Sequence, residues 1–160
     1  KKSYQLNYKW FLYDFVFVEN LSETIQLGRR FAQGLNPKSI VLLQGPIGAG
    51  KTSFVQGIAD GLSIKEDITS PTFALSHHYY SGTISLIHMD LYRIENGLMA
   101  KEFFVSEEEE AIQNKAIMII EWPELIMPAI NNFWKIEISY AKDLGRNYKI
   151  WDPQNSLTFE

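Results

Sequence analysis

Eight residues, Gly45 to Thr52 (GPIGAGKT), follow the pattern G-x-x-x-x-G-K-[ST], and their types suit one chemistry, the holding of a phosphate chain. Gly45, Gly48 and Gly50 permit backbone angles and a closeness of approach that a side chain would forbid. Successive N–H groups, across Ile47, Gly48, Ala49 and Gly50, can then turn inward onto phosphate oxygens. Lys51 brings a cation to the β- and γ-phosphates, and Thr52 offers a hydroxyl to Mg²⁺. A helix starting there adds its unpaired amides and the positive end of its dipole.

Such a site needs a further acidic group on the magnesium side, and two carboxylates compete for the role. Glu121 closes the apolar run Ala116 to Ile120 (AIMII), which delivers it to the carboxyl edge of a sheet. Asp90 closes the run ISLIHMD. A metal reading of His77, His78 and His88 is weaker. Adjacent strand residues point to opposite faces, so His77 and His78 do not readily share an ion, whereas His88 and Asp90 do share a face.

The elements that must position these groups alternate in type. Phe11 to Val18 reads as a strand. Asn20 or Ser22 caps a helix running to about Gly34, with Ile25, Gly28, Phe31, Ala32 and Leu35 as its inward stripe. Ser39 to Gln44 (SIVLLQ) is a short continuous apolar run, as a buried parallel strand should be. The glycine loop follows, then a helix from about Lys51 to Leu62. Thr69 to Thr72 (TSPT) is loop, because Pro71 lacks an amide donor and biases Ser70 away from helix. FALSHHYY and TISLIHMDLY flank Ser81-Gly82 as a hairpin. KIEISY and NYKIW are late strands, and Glu107 to Glu110 reads as a solvated helix face.

The expected fold is therefore α/β: a single P-loop domain over residues 1–160, with a mostly parallel central sheet flanked by helices, a β-hairpin, and flexible ends at 1–9 and 152–160. The 160 residues suit one core, and 46% hydrophobic content is enough to fill it. A net charge of −4 argues against a broad sequence-independent grip on nucleic acid. With no cysteine, disulfides and Cys-ligated zinc are excluded. No apolar run approaches the ~20 residues of a membrane helix, and the start KKSYQLNYKW lacks a signal-peptide core. The expectation is a cytoplasmic protein.

Taken in order, GPIGAGKT (Gly45–Thr52), SPTF (Ser70–Phe73), HMDLYR (His88–Arg93), EW (Glu121-Trp122) and GR (Gly145-Arg146) resemble the motifs of the TsaE family, the bacterial ATPases of threonylcarbamoyladenosine modification of tRNA. The resemblance spans most of residues 20–150, and SPTF followed by H-x-D-x-Y-R and EW is far more specific than the glycine loop alone. It implies a slow, partner-stimulated ATPase with ATP/ADP and Mg²⁺ as cofactors. It also implies a role as accessory to the threonylcarbamoyl-transferase complex of TsaD/TsaB type, with tRNA met only indirectly. Lys51 and Thr52 would hold phosphates and metal, and Glu121 would be the metal-side acid. Thr72 would be a switch-loop threonine, Asp90 an acid required for activity, and Gly145 and Trp122 neighbours of the nucleotide. Ile94 to Ala116 matches loosely and carries no family residue.

Hydrolysis on this reading rests on positioning and charge neutralisation. Asp90 is the candidate to orient the attacking water, and Arg93 either completes the site or faces the partner. The competing class is a small-molecule kinase using the same loop, and a third is a nucleotide-binding scaffold without turnover. The small number of arginines (Arg29, Arg30, Arg93, Arg146) and the lack of an arginine-bearing lid weigh against the kinase.

Overall fold

The structure, a computed structural model, describes residues 14–153. Along it run β1 (Asp14–Val18), α1 (Leu21–Ala32), β2 (Ile40–Gln44), α2 (Lys51–Gly61), β3 (Ser76–Tyr79), β4 (Leu86–Asp90), α3 (Gly97–Asn114), β5 (Ile117–Glu121), β6 (Trp134–Tyr140) and β7 (Arg146–Trp151). The expected flexible ends and the first three residues of the strand read from Phe11 lie outside the described residues, apart from Asp152 and Pro153.

All seven strands form one sheet in the order β1-β7-β6-β2-β5-β4-β3. The two apolar runs, β2 and β5, pair in parallel at its centre, with β6 and β4 parallel on either side. The mostly parallel expectation describes these four strands. At both edges the pairing is antiparallel, because β3–β4 and β6–β7 are hairpins and β1 adds to β7. The sheet is mixed for a physical reason: parallel neighbours need long crossovers, such as α3 between β4 and β5 and the segment 122–133 between β5 and β6, whereas the short connections at the edges reverse the chain.

Period-two alternation sends the central strands' side chains to two cores. Val41, Leu43, Ile117, Ile119 and Ile136 face α1 and α2 with Phe31, Phe54 and Tyr148. Leu42, Ile87, Met89, Met118 and Ile120 face α3 through Ala100, Phe104 and Ala111. Asn20 starts α1 by accepting the Glu23 amide on Oδ1 at 3.0 Å. Among the described residues no helix is long and apolar enough to cross a membrane.

Helices α1 and α2 cross at two glycines. A Cβ on Gly28 would stand 2.4 Å from the Phe54 carbonyl oxygen, and one on Gly57 2.3 Å from that of Ile25. The contacts are backbone, so no rotamer change relieves them, and the approach sets how deeply α2 sits on the sheet.

The glutamate run departs from the expectation of a solvated face. Glu109 is exposed, but the Glu107 side chain is only 14% exposed and accepts from Ser76 Oγ at 3.1 Å and from the His78 ring at 2.5 Å. Glu110 accepts the Tyr80 hydroxyl at 3.0 Å. The reason is that α3 lies beside the hairpin's edge strand, so Glu107 and Glu110, one helical turn apart, meet polar side chains of that strand and of Tyr80 just beyond it.

Gly57→Ala is expected to destabilise the protein by about 2–3 kcal/mol through overpacking against the α1 backbone. Urea unfolding checks this; a midpoint equal to that of the wild type would refute the close crossing.

Candidate functional site

Because β2, β5 and β4 run in parallel, their last residues emerge at the same sheet edge, where Asp90 stands beside Glu121 in the ladder and Glu121 beside Leu43. By alternation Asp90 and Glu121 share the face that α2 covers. The glycine loop leaves β2 at that edge, and α2 begins at Lys51. Gly48 (φ 78°) and Gly50 (φ 100°) hold left-handed backbone angles that a side chain would strain.

A cleft of about 440 Å³ opens at this edge, lined from the loop side by Ile47, Gly48, Gly50, Lys51 and Thr52, and from the sheet side by Asp90, Glu121 and Trp122. Ser70, Thr72 and Tyr92 complete it. Lys51, Asp90 and Glu121 are 8%, 3% and 2% exposed. The Lys51 ammonium donates to the Gly45 and Pro46 carbonyls at 2.6 and 3.0 Å and lies 4.7 Å from the Trp122 ring centre. Burial pulls its pKa below the usual lysine range, while Glu121, Asp90 and Glu124 pull it back up.

Trp122 adopts φ 53°, a left-handed angle that costs about 1 kcal/mol or more for a bulky residue. In that conformation its ring meets both Lys51 and, at 4.9 Å, Tyr92.

Asp90 gathers the loop that follows α2. Its Oδ2 accepts from the Thr72 hydroxyl at 3.1 Å and the Ser70 hydroxyl at 3.3 Å, and its Oδ1 from the Tyr92 amide at 2.9 Å. Its own amide donates to the Leu75 carbonyl at 3.0 Å. Glu121 is differently placed. Its Oε1 is buried without a hydrogen-bond partner among the described residues, and His88, fully buried behind it, approaches its Oε2 at 3.6 Å.

The arrangement fits a phosphate chain accompanied by a divalent cation. Left-handed glycines leave room for close backbone approach, Lys51 supplies a buried positive charge, and the Glu121 oxygen and Thr52 hydroxyl are hard oxygen donors of the kind Mg²⁺ takes. Of the two acids read from the sequence, Glu121 has the orphaned oxygen, and Asp90 is engaged with the loop around Thr72.

Lys51, Thr52, Thr72, Asp90, Glu121, Trp122, Ile47, Gly48 and Gly50 thus come together as read. Ala49 is fully buried and does not line the cleft. Gly145 also lies off it, in the β6–β7 turn, where a Cβ would stand 2.5 Å from the Phe17 ring. Arg93 stacks on the exposed Phe73 ring at 4.1 Å. The three histidines take separate surroundings: His77 beside Thr69, His78 beside Glu107, His88 beside Glu121. Sequence reasoning missed Ser70 and Tyr92 as cleft residues, though both stand inside motifs it quoted. It missed Tyr140 altogether, which no local pattern marks.

Fold and site together define a mixed α/β protein in which a glycine loop joins a central parallel strand to a helix at the rim of a charged cleft. The chain belongs to the TsaE family: the model of threonylcarbamoyl adenosine biosynthesis protein TsaE matches residues 18–148. It is 36% identical over 137 residues to the tRNA threonylcarbamoyladenosine biosynthesis protein TsaE of Nostoc sp., covering 84% of this chain and 83% of that one. The Synechocystis protein of the same name is 41% identical over 110 residues, 68% of this chain and 69% of its own. The crystal structure of Bacillus subtilis YdiB superposes with a TM-score of 0.72 at 27% identity, over 88% of this chain and 86% of that one. The family read from the motifs is the family matched.

Asp90→Ala is expected to loosen the Ser70–Leu75 loop while leaving the sheet intact, because a buried charged acceptor is removed from three donors. Amide exchange there should accelerate about tenfold or more, each lost charge-assisted bond being worth ~1.5–3 kcal/mol. Unchanged exchange in this loop would show that Asp90 does not hold it.

Proposed function

We propose that this protein is a Mg²⁺-dependent P-loop ATPase that acts as a nucleotide switch on a threonylcarbamoyl-transferase complex in tRNA modification. The observation that carries this reading is the convergence, in one cleft, of the glycine loop and Lys51 with Thr52, Glu121, Asp90 and Thr72. The TsaE relatives, named for threonylcarbamoyladenosine biosynthesis in tRNA, supply the pathway. A role in tRNA modification would be carried out in the cytoplasm.

The amides of Ile47, Gly48 and Gly50 and the Lys51 ammonium would receive the phosphates of ATP or ADP, with Trp122 beside them, while Ala49, whose amide bonds the Pro46 carbonyl, and Gly145 stand behind the cleft. Thr52 and Glu121 would hold Mg²⁺, which when bound neutralises phosphate charge. Lys51 stabilises the bridging and terminal oxygens as charge shifts between them. Asp90, with a carboxylate oriented by Ser70, Thr72 and the Tyr92 amide, orients the attacking water. Hydrolysis is slow in the isolated protein, since among the described residues Lys51 is the cleft's basic lining group and an arginine finger contributes ~10³–10⁵ in rate where one is present. The same poverty of basic groups weighs against a small-molecule kinase, which must also grip an acceptor. Thr72 shares Asp90 with the loop's other hydroxyl, so a change at the γ-phosphate reaches the Ser70–Leu75 loop, and a docked TsaD/TsaB-type complex reads that loop. Contact with tRNA is through those partners.

Glu121→Ala should weaken nucleotide binding at least about tenfold with Mg²⁺ present and much less without it, because a charged metal-side oxygen is lost. Calorimetric titration in the two conditions measures this, and equal losses would remove Glu121 from the metal side.

The switch itself is tested by multiple-turnover tRNA modification with the partner proteins and a supply of threonylcarbamoyl-adenylate. Wild type should drive repeated rounds, whereas Asp90→Ala should bind ATP yet stall after about one round, its cradle being intact. If wild type adds nothing over its absence, the functional reading fails. If the variant matches wild type, Asp90 is not the switch residue.

A further inference from the structure

Five consecutive carbonyl groups of the glycine loop are engaged, and from two sides. Gly45 and Pro46 accept from Lys51. The next three accept from the β6–β7 hairpin: Ile47 from the Tyr140 hydroxyl at 2.6 Å, Gly48 from Arg146 Nη2 at 3.4 Å and Ala49 from Arg146 Nε at 3.1 Å. Arg146 is itself fixed. Its Nη1 donates to the Leu144 and Gly145 carbonyls, each at 2.9 Å, and its guanidinium lies over the Tyr140 ring at 4.6 Å. Neither Tyr140 nor Arg146 lines the cleft.

We infer that Tyr140 and Arg146 are positioning residues for phosphate binding: together they hold the carbonyls of Ile47, Gly48 and Ala49 turned toward the hairpin, so that the loop presents the Gly48 and Gly50 amides rather than carbonyl oxygens to the anion, the Ala49 amide being taken by the Pro46 carbonyl at 3.1 Å. The inference rests on the phosphate-binding reading given above. The physical need is plain. A peptide that rotates exchanges an N–H for a C=O at the same place, and a carbonyl dipole aimed at phosphate repels it. Glycines at Gly48 and Gly50 make that rotation easy, so the freedom that lets the loop form a cradle also lets it collapse. A fork of rigid guanidinium donors, spanning two successive carbonyls and stacked on an aromatic ring, removes that freedom in advance. The hairpin is suited to the task because β6 runs parallel to β2 and ends at the same edge, carrying Tyr140 past the loop. Gly48 also fits against it, since a Cβ there would stand 3.2 Å from the Tyr140 hydroxyl.

Tyr140→Phe and Arg146→Lys separate this role from charge and from folding. Tyr140 is 54% exposed, so its phenylalanine variant loses one hydroxyl bond and keeps the ring. Arg146→Lys keeps the positive charge and loses the fork. Calorimetric titration of the full chain with ADP and Mg²⁺ should show affinity falling about threefold to tenfold in the first and about tenfold or more in the second. Amide exchange without nucleotide should quicken at residues 47–50 and stay unchanged in the body of α2 and in β5, which general destabilisation would not produce. If wild type binds ADP and both variants bind it within twofold with unchanged loop exchange, the clamp is refuted. If exchange quickens throughout α2 and β5 as well, the residues are merely structural and the inference is overturned. Failure of the wild type to bind ADP overturns the nucleotide reading itself, and this one with it.

Discussion

The site depends on one electrostatic arrangement: an ammonium and two carboxylates with little exposure, gathered at the floor of a cleft at the end of a sheet. Lys51, Asp90 and Glu121 are each more than nine-tenths buried, and a lone buried charge of either sign is costly. The cost is offset locally. The Gly45 and Pro46 carbonyls and the Trp122 ring surround the ammonium, Asp90 collects three donors, and Lys51 lies within the field of both acids. The Glu121 oxygen left without a donor is where the balance stays open to a cation.

Most of the fold is what it takes to bring those three groups together. Parallel pairing of β4 with β5 sets Asp90 beside Glu121, and the same register keeps both on the α2 face. A one-residue slip of β4 against β5 would turn Asp90 to the α3 side, against Met118 and Ile120, and leave Glu121 behind on the α2 face. The depth of Lys51 depends in turn on α2, seated by the glycine crossing of Gly28 and Gly57. The hairpin of β6 and β7, remote in sequence, closes the arrangement by gripping the loop from outside.

Much of this was legible in the residues. The glycine loop, the two apolar strands and the carboxylates that end them are short-range patterns, and each declares its own local structure. What stayed hidden was pairwise and long-range. Nothing around Tyr140 says that its hydroxyl meets a carbonyl 93 positions earlier in the chain. The run Glu107–Glu110 looks solvated because charge is normally exposed, and its contacts with Ser76, His78 and Tyr80 exist only once α3 lies along β3. The antiparallel edges were likewise understated, since a hairpin is visible locally but its place at the rim of a parallel sheet is not.

Those glutamate contacts also set β3 apart from the loop that precedes it. Strand β3 is fastened on both sides, by its ladder to β4 and by side-chain bonds to Glu107 and Glu110 on α3. The loop just before it is fastened differently. Ser70 and Thr72 converge on the Asp90 carboxylate, Leu75 at φ 67° donates to the Pro71 carbonyl, and Phe73 stands 84% exposed with Arg93 stacked upon it. A segment held through one carboxylate opens at far lower cost than a laddered strand. Any change at the Thr72 hydroxyl or the Asp90 oxygens would therefore meet Ser70–Leu75 before it meets β3. The outward face of that segment is an aromatic ring paired with an arginine, the kind of surface another protein can read.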